Sequence, residues 1–302
     1  MTTKISMPNS GVVIKRTQNN TAIQLGDAYI TCNIPERLKA ANQIVVGDYV
    51  NWNDAQYITE VLPRRNSFSR RRVGNTLDEQ IIAANVDQVI IVLAAAKPRI
   101  SWNLLDRYLV SAEFSDIPPL VCITKMDLVE DSPEAEEINL IAEEYRAIGY
   151  DVILTSTTKN QGIAELRNRL SGRLSVLVGK SGVGKSSLIN ALSPDLALRT
   201  QEVSKATSKG RHTTTSSQIF PLPQDGFIMD TPGVREFGLW DVTEHDLIMC
   251  FPEMRVFQHT CKFKDCSHDD EPGCAIRKAV MQGEISPYRY QSYLKLKGEI
   301  YE

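Results

Sequence analysis

Residues 124–127 read Thr-Lys-Met-Asp, and residues 179–187 read Gly-Lys-Ser-Gly-Val-Gly-Lys-Ser-Ser. In the second stretch Gly179, Gly184, Lys185 and Ser186 match the spacing G-x-x-x-x-G-K-[ST], between an apolar run and a helix-like segment. Glycines there let the backbone N–H groups of Gly179, Lys180, Ser181, Gly182, Val183 and Gly184 close around phosphate oxygens. The helix N-terminus adds partial positive charge. Lys185 is expected to reach the β- and γ-phosphates, and the Ser186 hydroxyl to hold Mg²⁺. Val178 and Ser187 bound the expected nucleotide-binding run.

The first stretch selects the base. Guanine presents adjacent N1–H and N2–H₂ donors, and the carboxylate of Asp127 can accept both. Adenine has an acceptor at N1, which would leave that carboxylate desolvated and unpaired, a mismatch worth on the order of 10⁴-fold. Lys125 is expected to lie along the base and tie its loop to the phosphate loop, with Met126 between it and Asp127. The commoner pattern is N-K-x-D. Thr124 has no amide to donate, so part of the bracing between the loops is expected to be lost while Asp127 keeps the base choice. Residues 155–162, Thr-Ser-Thr-Thr-Lys-Asn-Gln-Gly, are read as a loop whose backbone covers the guanine.

Asp-Thr-Pro-Gly at 230–233 ends another apolar run. Asp230 is expected to hold Mg²⁺ through water, and the N–H of Gly233 to sense the γ-phosphate. The glutamine that often follows and orients water is here Val234, which cannot hydrogen-bond to it. Cys261, Cys266, His268 and Cys274 give three thiolates and an imidazole, a set suited to one tetrahedral, structural Zn²⁺ per chain. Cys250, His245 and His259 lie outside that spacing. Arg64, Arg65, Arg70, Arg71 and Arg72 read either as a solvated linker or as contacts to RNA phosphate, and arginine-only enrichment beside a barrel favours the second.

The elements must bring these groups together. Residues 11–62 alternate as about five short strands with Gly-Asp turns at 26–27 and 47–48, which suggests an OB-fold barrel, though an SH3-like barrel would look similar. From residue 85 strands and helices alternate: 86–96, 101–114, 119–124, 132–148, 151–157, 163–170, 174–179, 185–192 and 226–230. That rhythm is a doubly wound α/β domain, with Ser101 and Ser132 as helix caps and Gly149 as a stop. After residue 240 the chain turns helical and cysteine-rich. The expected units are 1–72, an OB-fold RNA-binding domain; 73–240, a nucleotide domain; and 241–302, a zinc-binding tail. The phosphate loop follows the base-reading segment, the reverse of the usual order. A parallel sheet tolerates such circular permutation if each strand keeps its neighbours.

The bulk numbers exclude little. The chain has 302 residues and a net charge of −3, so nucleic-acid binding must come from local patches. Six cysteines, three of them crowded with a histidine, favour a metal site in a reducing compartment over a disulfide framework. With no signal-like start and no apolar run approaching about 20 residues, a cytoplasmic protein without membrane attachment is expected.

Small barrel, permuted nucleotide domain and cysteine-rich tail together resemble the RsgA (YjeQ) family of bacterial small-ribosomal-subunit assembly GTPases. The resemblance covers nearly the whole chain and includes Gly-Arg-His-Thr-Thr-Thr at 210–215, the family's switch I, and its C-x4-C-x-H-x5-C pattern. It implies GTP hydrolysis to GDP stimulated by the small subunit and its rRNA, in late subunit maturation, by a monomer. Within the switch, His212 becomes the expected water-positioning residue in place of Val234, and Thr214 the expected magnesium ligand. A factor in which GTP only fixes an RNA-binding conformation, without useful hydrolysis, stays open as the alternative.

Overall fold

The structure is a computed structural model that describes residues 9–26, 28–40, 43–71, 79–193, 218–222, 224, 226–230 and 242–300. At residues 70, 71, 79, 218 and 230 only the backbone is described. Five short strands form the N-terminal unit: β1 (Asn9–Arg16), β2 (Asn20–Leu25), β3 (Ala28–Asn33), β4 (Tyr49–Trp52) and β5 (Ile58–Val61). The long β1 pairs antiparallel with both β2 and β4, and β4 pairs with β5. A parallel bridge between Asn33 and Tyr57 draws the ring together. Val13, Ile23, Cys32, Val50 and Ile58 alternate inward and fill it. This is the small, partly open OB-type barrel.

The run 43–52, which alternates like one strand, is a strand only from Tyr49 onward. Gly47 takes φ +87° and donates its N–H to the Val13 carbonyl at 2.8 Å, so the chain turns there. A Cβ at Gly47 would sit 2.0 Å from the carbonyl oxygen of Ala84, and so glycine lets the barrel press onto the next unit. The arginine segment also differs from a plain linker. It runs into β6 (Ser67–Arg71), which pairs antiparallel with β7 (Glu79–Ala84).

The nucleotide domain follows the expected alternation. Its strands are β8 (Gln88–Ala94), β9 (Pro119–Thr124), β10 (Asp151–Leu154), β11 (Leu174–Val178), β12 (Gln218–Pro221) and β13 (Phe227–Asp230). Its helices are α1 (Trp102–Phe114), α2 (Pro133–Ile148), α3 (Ile163–Leu170) and α4 (Lys185–Leu192). The sheet order is β10-β9-β8-β11-β13-β12, and every pair is parallel except β12–β13. All seven residues of β8 are buried, as a strand covered by helices on both faces requires. One apolar cluster under each face, built around Val89, Ile91 and Val121 on one side and Ile90, Val92 and Leu188 on the other, holds the layers together. The sequence order of the strands is rotated, yet their C-terminal ends share one edge. That is the permuted arrangement.

β12 was not legible as a strand, and its outer edge pairs with β1 through Lys15 and Gln218, so barrel and domain share one sheet. Ser101 and Ser132 occupy N-cap positions, but neither side chain accepts a capping bond. At α2, Pro133 needs no partner for an N–H, and Glu134 and Glu136 meet the helix dipole instead. Gly149 ends α2 in the left-handed conformation at φ +115°.

The tail contains α5 (Glu244–Met249), α6 (Pro252–Arg255), α7 (Ala275–Met281) and α8 (Pro287–Ile300). Leu247, Phe251, Met254, Ile276, Tyr293 and Leu296 form its core together with Val110 of α1, so the tail is seated on the nucleotide domain. Among the described residues no helix is long and apolar enough to cross a membrane.

Candidate nucleotide site and metal centre

The phosphate loop leaves the end of β11, central in the sheet. Gly179 has φ +146°, and a Cβ there would meet the Val92 carbonyl oxygen at 2.3 Å. Gly184, at φ +100°, turns the chain into α4. Both positions demand glycine, which explains the loop's composition better than flexibility does. Val178 and Gly179 are buried, whereas Lys180, Ser181, Gly182, Ser186 and Ser187 face solvent and Val183 packs inward. Lys185 donates from Nζ to the carbonyls of Gly179 at 2.6 Å and Lys180 at 2.9 Å, so its ammonium already lies in the loop's mouth.

The base-reading segment ends β9, two strands from β11. Lys125 adopts φ +59°, and a short 3₁₀ turn, Met126–Leu128, follows. Its Nζ donates to the Gly182 carbonyl at 2.6 Å and also to the Lys97 carbonyl. The expected tie between the two loops is therefore present in this geometry. The single hydroxyl proton of Thr124 faces two carbonyls, Leu93 at 3.0 Å and Val183 of the phosphate loop. The bracing expected to be lost with the missing amide is kept in part, because a hydroxyl reaches the same loop. Met126 is buried, and its N–H donates to Thr155 at 3.2 Å, which seats the segment on the 155–162 loop.

Asp127 points out of this frame. The hydroxyl of Ser156 donates to its Oδ1 at 2.6 Å, and Ser156 is itself fully buried and fixed by the N–H of Lys159 at 3.2 Å. That hydrogen bond, aided by Thr158, holds the Asp127 carboxyl below the ordinary carboxylate range. An ionised acceptor is what a guanine edge requires. Sequence reasoning named the 155–162 loop but missed Ser156 as the residue that aims the carboxylate. The signal was a lone serine in a polar run, which carries no orientation.

Asp230 ends β13 beside Leu177 of β11 and Gln218 of β12, at the sheet edge that bears the phosphate loop. Its side chain, together with Gly233, Val234, His212 and Thr214, lies outside the described residues.

Cys261, Cys266, His268 and Cys274 converge, with their donor atoms all within 4.8 Å of one another. Nδ1 of His268 lies 3.5 Å from Cys261 Sγ and 3.7 Å from Cys274 Sγ. Tetrahedral bonds of ordinary Zn–S and Zn–N length place such atoms about 3.6 Å apart. The donor set and its spacing fit zinc. The N–H of Ala275 donates to Cys261 Sγ at 3.2 Å, the kind of outer contact that orients a thiolate ligand. Tyr290 and Lys297 of α8 donate to the carbonyls of His268 and Ser267, at 2.8 and 2.7 Å, and anchor the loop. Cys250 is buried in the tail core, and His245 faces Gln258 at 3.3 Å, both away from the cluster.

The arginines divide. Arg64 holds the buried Asp48 with two bonds of 2.7 and 2.9 Å, and Arg65 reaches Asp87 at 2.7 Å and the carbonyl of Asn85 at 3.2 Å. Arg64 thereby braces the 43–48 turn of the barrel, and Arg65 ties the end of the barrel unit to the start of the nucleotide domain. Arg70 and Arg71 have their backbone on β6, with side chains outside the described residues, as is all of Arg72.

The model of the RsgA GTPase family matches residues 61–240. The small ribosomal subunit biogenesis GTPase RsgA of Gemmatimonas aurantiaca is 47% identical over 86% of this chain and 85% of its own length. Its counterpart in Bacillus subtilis is 41% identical over 85% and 84%. Two solved structures superpose over nearly the full length. YjeQ from Thermotoga maritima gives a TM-score of 0.80 at 31% identity, covering 98% of this chain and 99% of that one. YloQ, described as a circularly permuted GTPase, gives 0.76 at 34% identity, covering 100% and 98%. A rotated strand order, a phosphate loop tied to a Lys-x-Asp base reader and these relatives agree: the chain belongs to the RsgA GTPase family.

Proposed function

We propose that the chain binds GTP between the 179–187 loop and Asp127, hydrolyses it, and does so in the service of small-ribosomal-subunit maturation. The observation that carries the nucleotide reading is Lys125, whose ammonium joins the base-reading segment to the phosphate loop at Gly182. The subunit reading rests on the relatives, named as small ribosomal subunit biogenesis GTPases.

In this reading Asp127 accepts from the guanine edge while the stem of Lys125 lies along the ring. Backbone N–H groups of residues 180–184 surround the phosphates, and Lys185 exchanges its two carbonyl partners for phosphate oxygens. Ser186, Asp230 and Thr214 would hold Mg²⁺, which supplies positive charge against the phosphates. Water attacks the γ-phosphorus, the bond to the β–γ bridging oxygen breaks, and its electron pair leaves with GDP. The proton lost by water ends on phosphate or in solvent. His212 orients that water, since Val234 cannot. Family membership favours this turnover over a factor that merely holds GTP.

Cys261, Cys266, His268 and Cys274 hold one structural Zn²⁺, with no position left open for chemistry. The barrel and Arg70, Arg71 and Arg72 meet rRNA phosphate, as part of three units bounded at 1–72, 73–240 and 241–302. Arg64 and Arg65, occupied by Asp48 and Asp87, support that surface by bracing the barrel turn and its junction with the nucleotide domain. The test is sedimentation with purified small subunits. The chain should travel with them under a non-hydrolysable GTP analogue and much less under GDP. Equal binding in both states, or none, would overturn the proposal.

A further inference from the structure

The seat of the tail on α1 contains a buried ion network. Arg289 of α8 is 2% exposed and lies between two acids. It donates to Asp106 of α1 at 2.5 Å and to Glu253 of α6 at 2.6 and 3.2 Å. The Tyr145 hydroxyl of α2 donates to the same Asp106 oxygen at 2.6 Å, and the guanidinium lies 4.4 Å from the centre of the Phe251 ring. Toward the rim, Ser292 donates to Asn103 at 2.8 Å, and Arg107 pairs with Glu299. These ties are polar, directional and spread over much of a helix about 20 Å long, so α8 and α1 have few ways to slide.

The N-terminal end of α1, which carries these ties, also reaches the nucleotide site. Six residues before Asn103, the Lys97 carbonyl accepts from the same Lys125 ammonium that binds Gly182 of the phosphate loop. Trp102, the first residue of α1, stacks on Tyr145 at 6.1 Å, and Tyr145 in turn holds Asp106. One lysine side chain therefore fixes the phosphate loop, the base-reading segment and the entry to the helix that carries the tail.

We infer a second route between nucleotide and tail, through the base side of the site, that does not use the γ-phosphate. Guanine packed along Lys125 immobilises it, holds the 95–101 segment, and favours the arrangement of α1 that α8 grips. Arg289 is a positioning residue on this route. The γ-phosphate signal would pass instead through the segment after Asp230. The base-side route responds equally to GDP and GTP. Linkage makes it reciprocal: if guanine nucleotide tightens the tail, a seated tail tightens nucleotide by the same factor.

The inference rests on the proposed nucleotide site, and GDP binding by the wild-type chain checks that reading separately. Hydrogen exchange of residues 287–300 in the full chain is measured alone, with GDP and with a non-hydrolysable GTP analogue. Both nucleotides should slow exchange by a common factor of about five or more. Arg289→Met should weaken GDP and the analogue alike, by a similar factor. Because it leaves Asp106 and Glu253 buried without their cation, a milder pair, Arg107→Gln with Ser292→Ala, cuts only the rim ties and should weaken both nucleotides in the same ratio. Protection of the tail by the analogue alone would overturn the inference. So would a loosened tail with unchanged nucleotide affinity in both variants, the behaviour of a purely structural contact.

Discussion

At the scale of single residues the base reader is a carboxylate prepared by its neighbour. In the proposed site Asp127 would accept from guanine only when ionised, and the Ser156 hydroxyl at 2.6 Å favours that form by lowering its titration. With its titration depressed, guanine binding persists above the ordinary carboxylate value and fails only as pH falls through the lower one. Ser156→Ala removes the largest cause of the depression. The acid limb of GTP binding should then move up in pH toward the ordinary aspartate value, with weaker binding at neutral pH from a less well aimed side chain. A titration of GTP affinity against pH that overlays the wild type would remove Ser156 from this role. Asp127→Asn should trade guanine for xanthine, whose extra carbonyl can accept from the new amide, and competition binding between the two triphosphates reads this. Asp127 was legible because a Lys-x-Asp spacing at the end of an apolar strand is a local pattern. Ser156 was not, because its meaning comes from a contact 29 residues away.

At the scale of elements, the alternation of α1 to α4 with their strands was readable, and α3 and α4 begin and end where periodicity and glycine place them. Three strands escaped, β6, β7 and β12. β12 is four residues long with a proline, too short to show a period, and it exists by pairing with β13 and β1. β6 hides in an arginine-rich segment whose strand character comes from pairing with β7. The joint at Gly47 shows what such contacts demand. Gly47→Ala places a methyl 2.0 Å from the Ala84 oxygen in a left-handed backbone, and should cost at least about 1–3 kcal/mol. The denaturation midpoint measures it, and an unchanged midpoint would mean that barrel and domain are not pressed together there. For the proposed RNA contacts, replacing Arg70, Arg71 and Arg72 with Ala should flatten the salt dependence of subunit binding by up to about 0.9 per lost phosphate contact. An unaltered slope would leave these arginines merely solvated.

At the scale of the molecule, the tail's two supports were visible to different degrees. The Cys₃His pattern is confined to fourteen residues and could be read directly. The Arg289–Asp106 pair spans 183 positions, and no local pattern announces it. Removing metal with a chelator, or Cys261→Ser, should loosen the 256–285 segment to protease while GTP still binds, because the nucleotide loops fold on the sheet. Equal protease resistance with and without metal would contradict a zinc-held tail. Breaking the buried ion network by Arg289→Met is a larger insult, about 3–5 kcal/mol, since two acids lose their cation in a dry site.

Single-turnover phosphate release with and without purified small subunits tests the claim that this permuted GTPase turns over in response to the subunit. Single turnover separates bond cleavage from product release. Release should be slow for the chain alone and markedly accelerated by the subunit, and His212→Ala should lose about 10²-fold or more of the accelerated rate with GTP affinity nearly intact. A wild-type rate that the subunit leaves unchanged would contradict the claim.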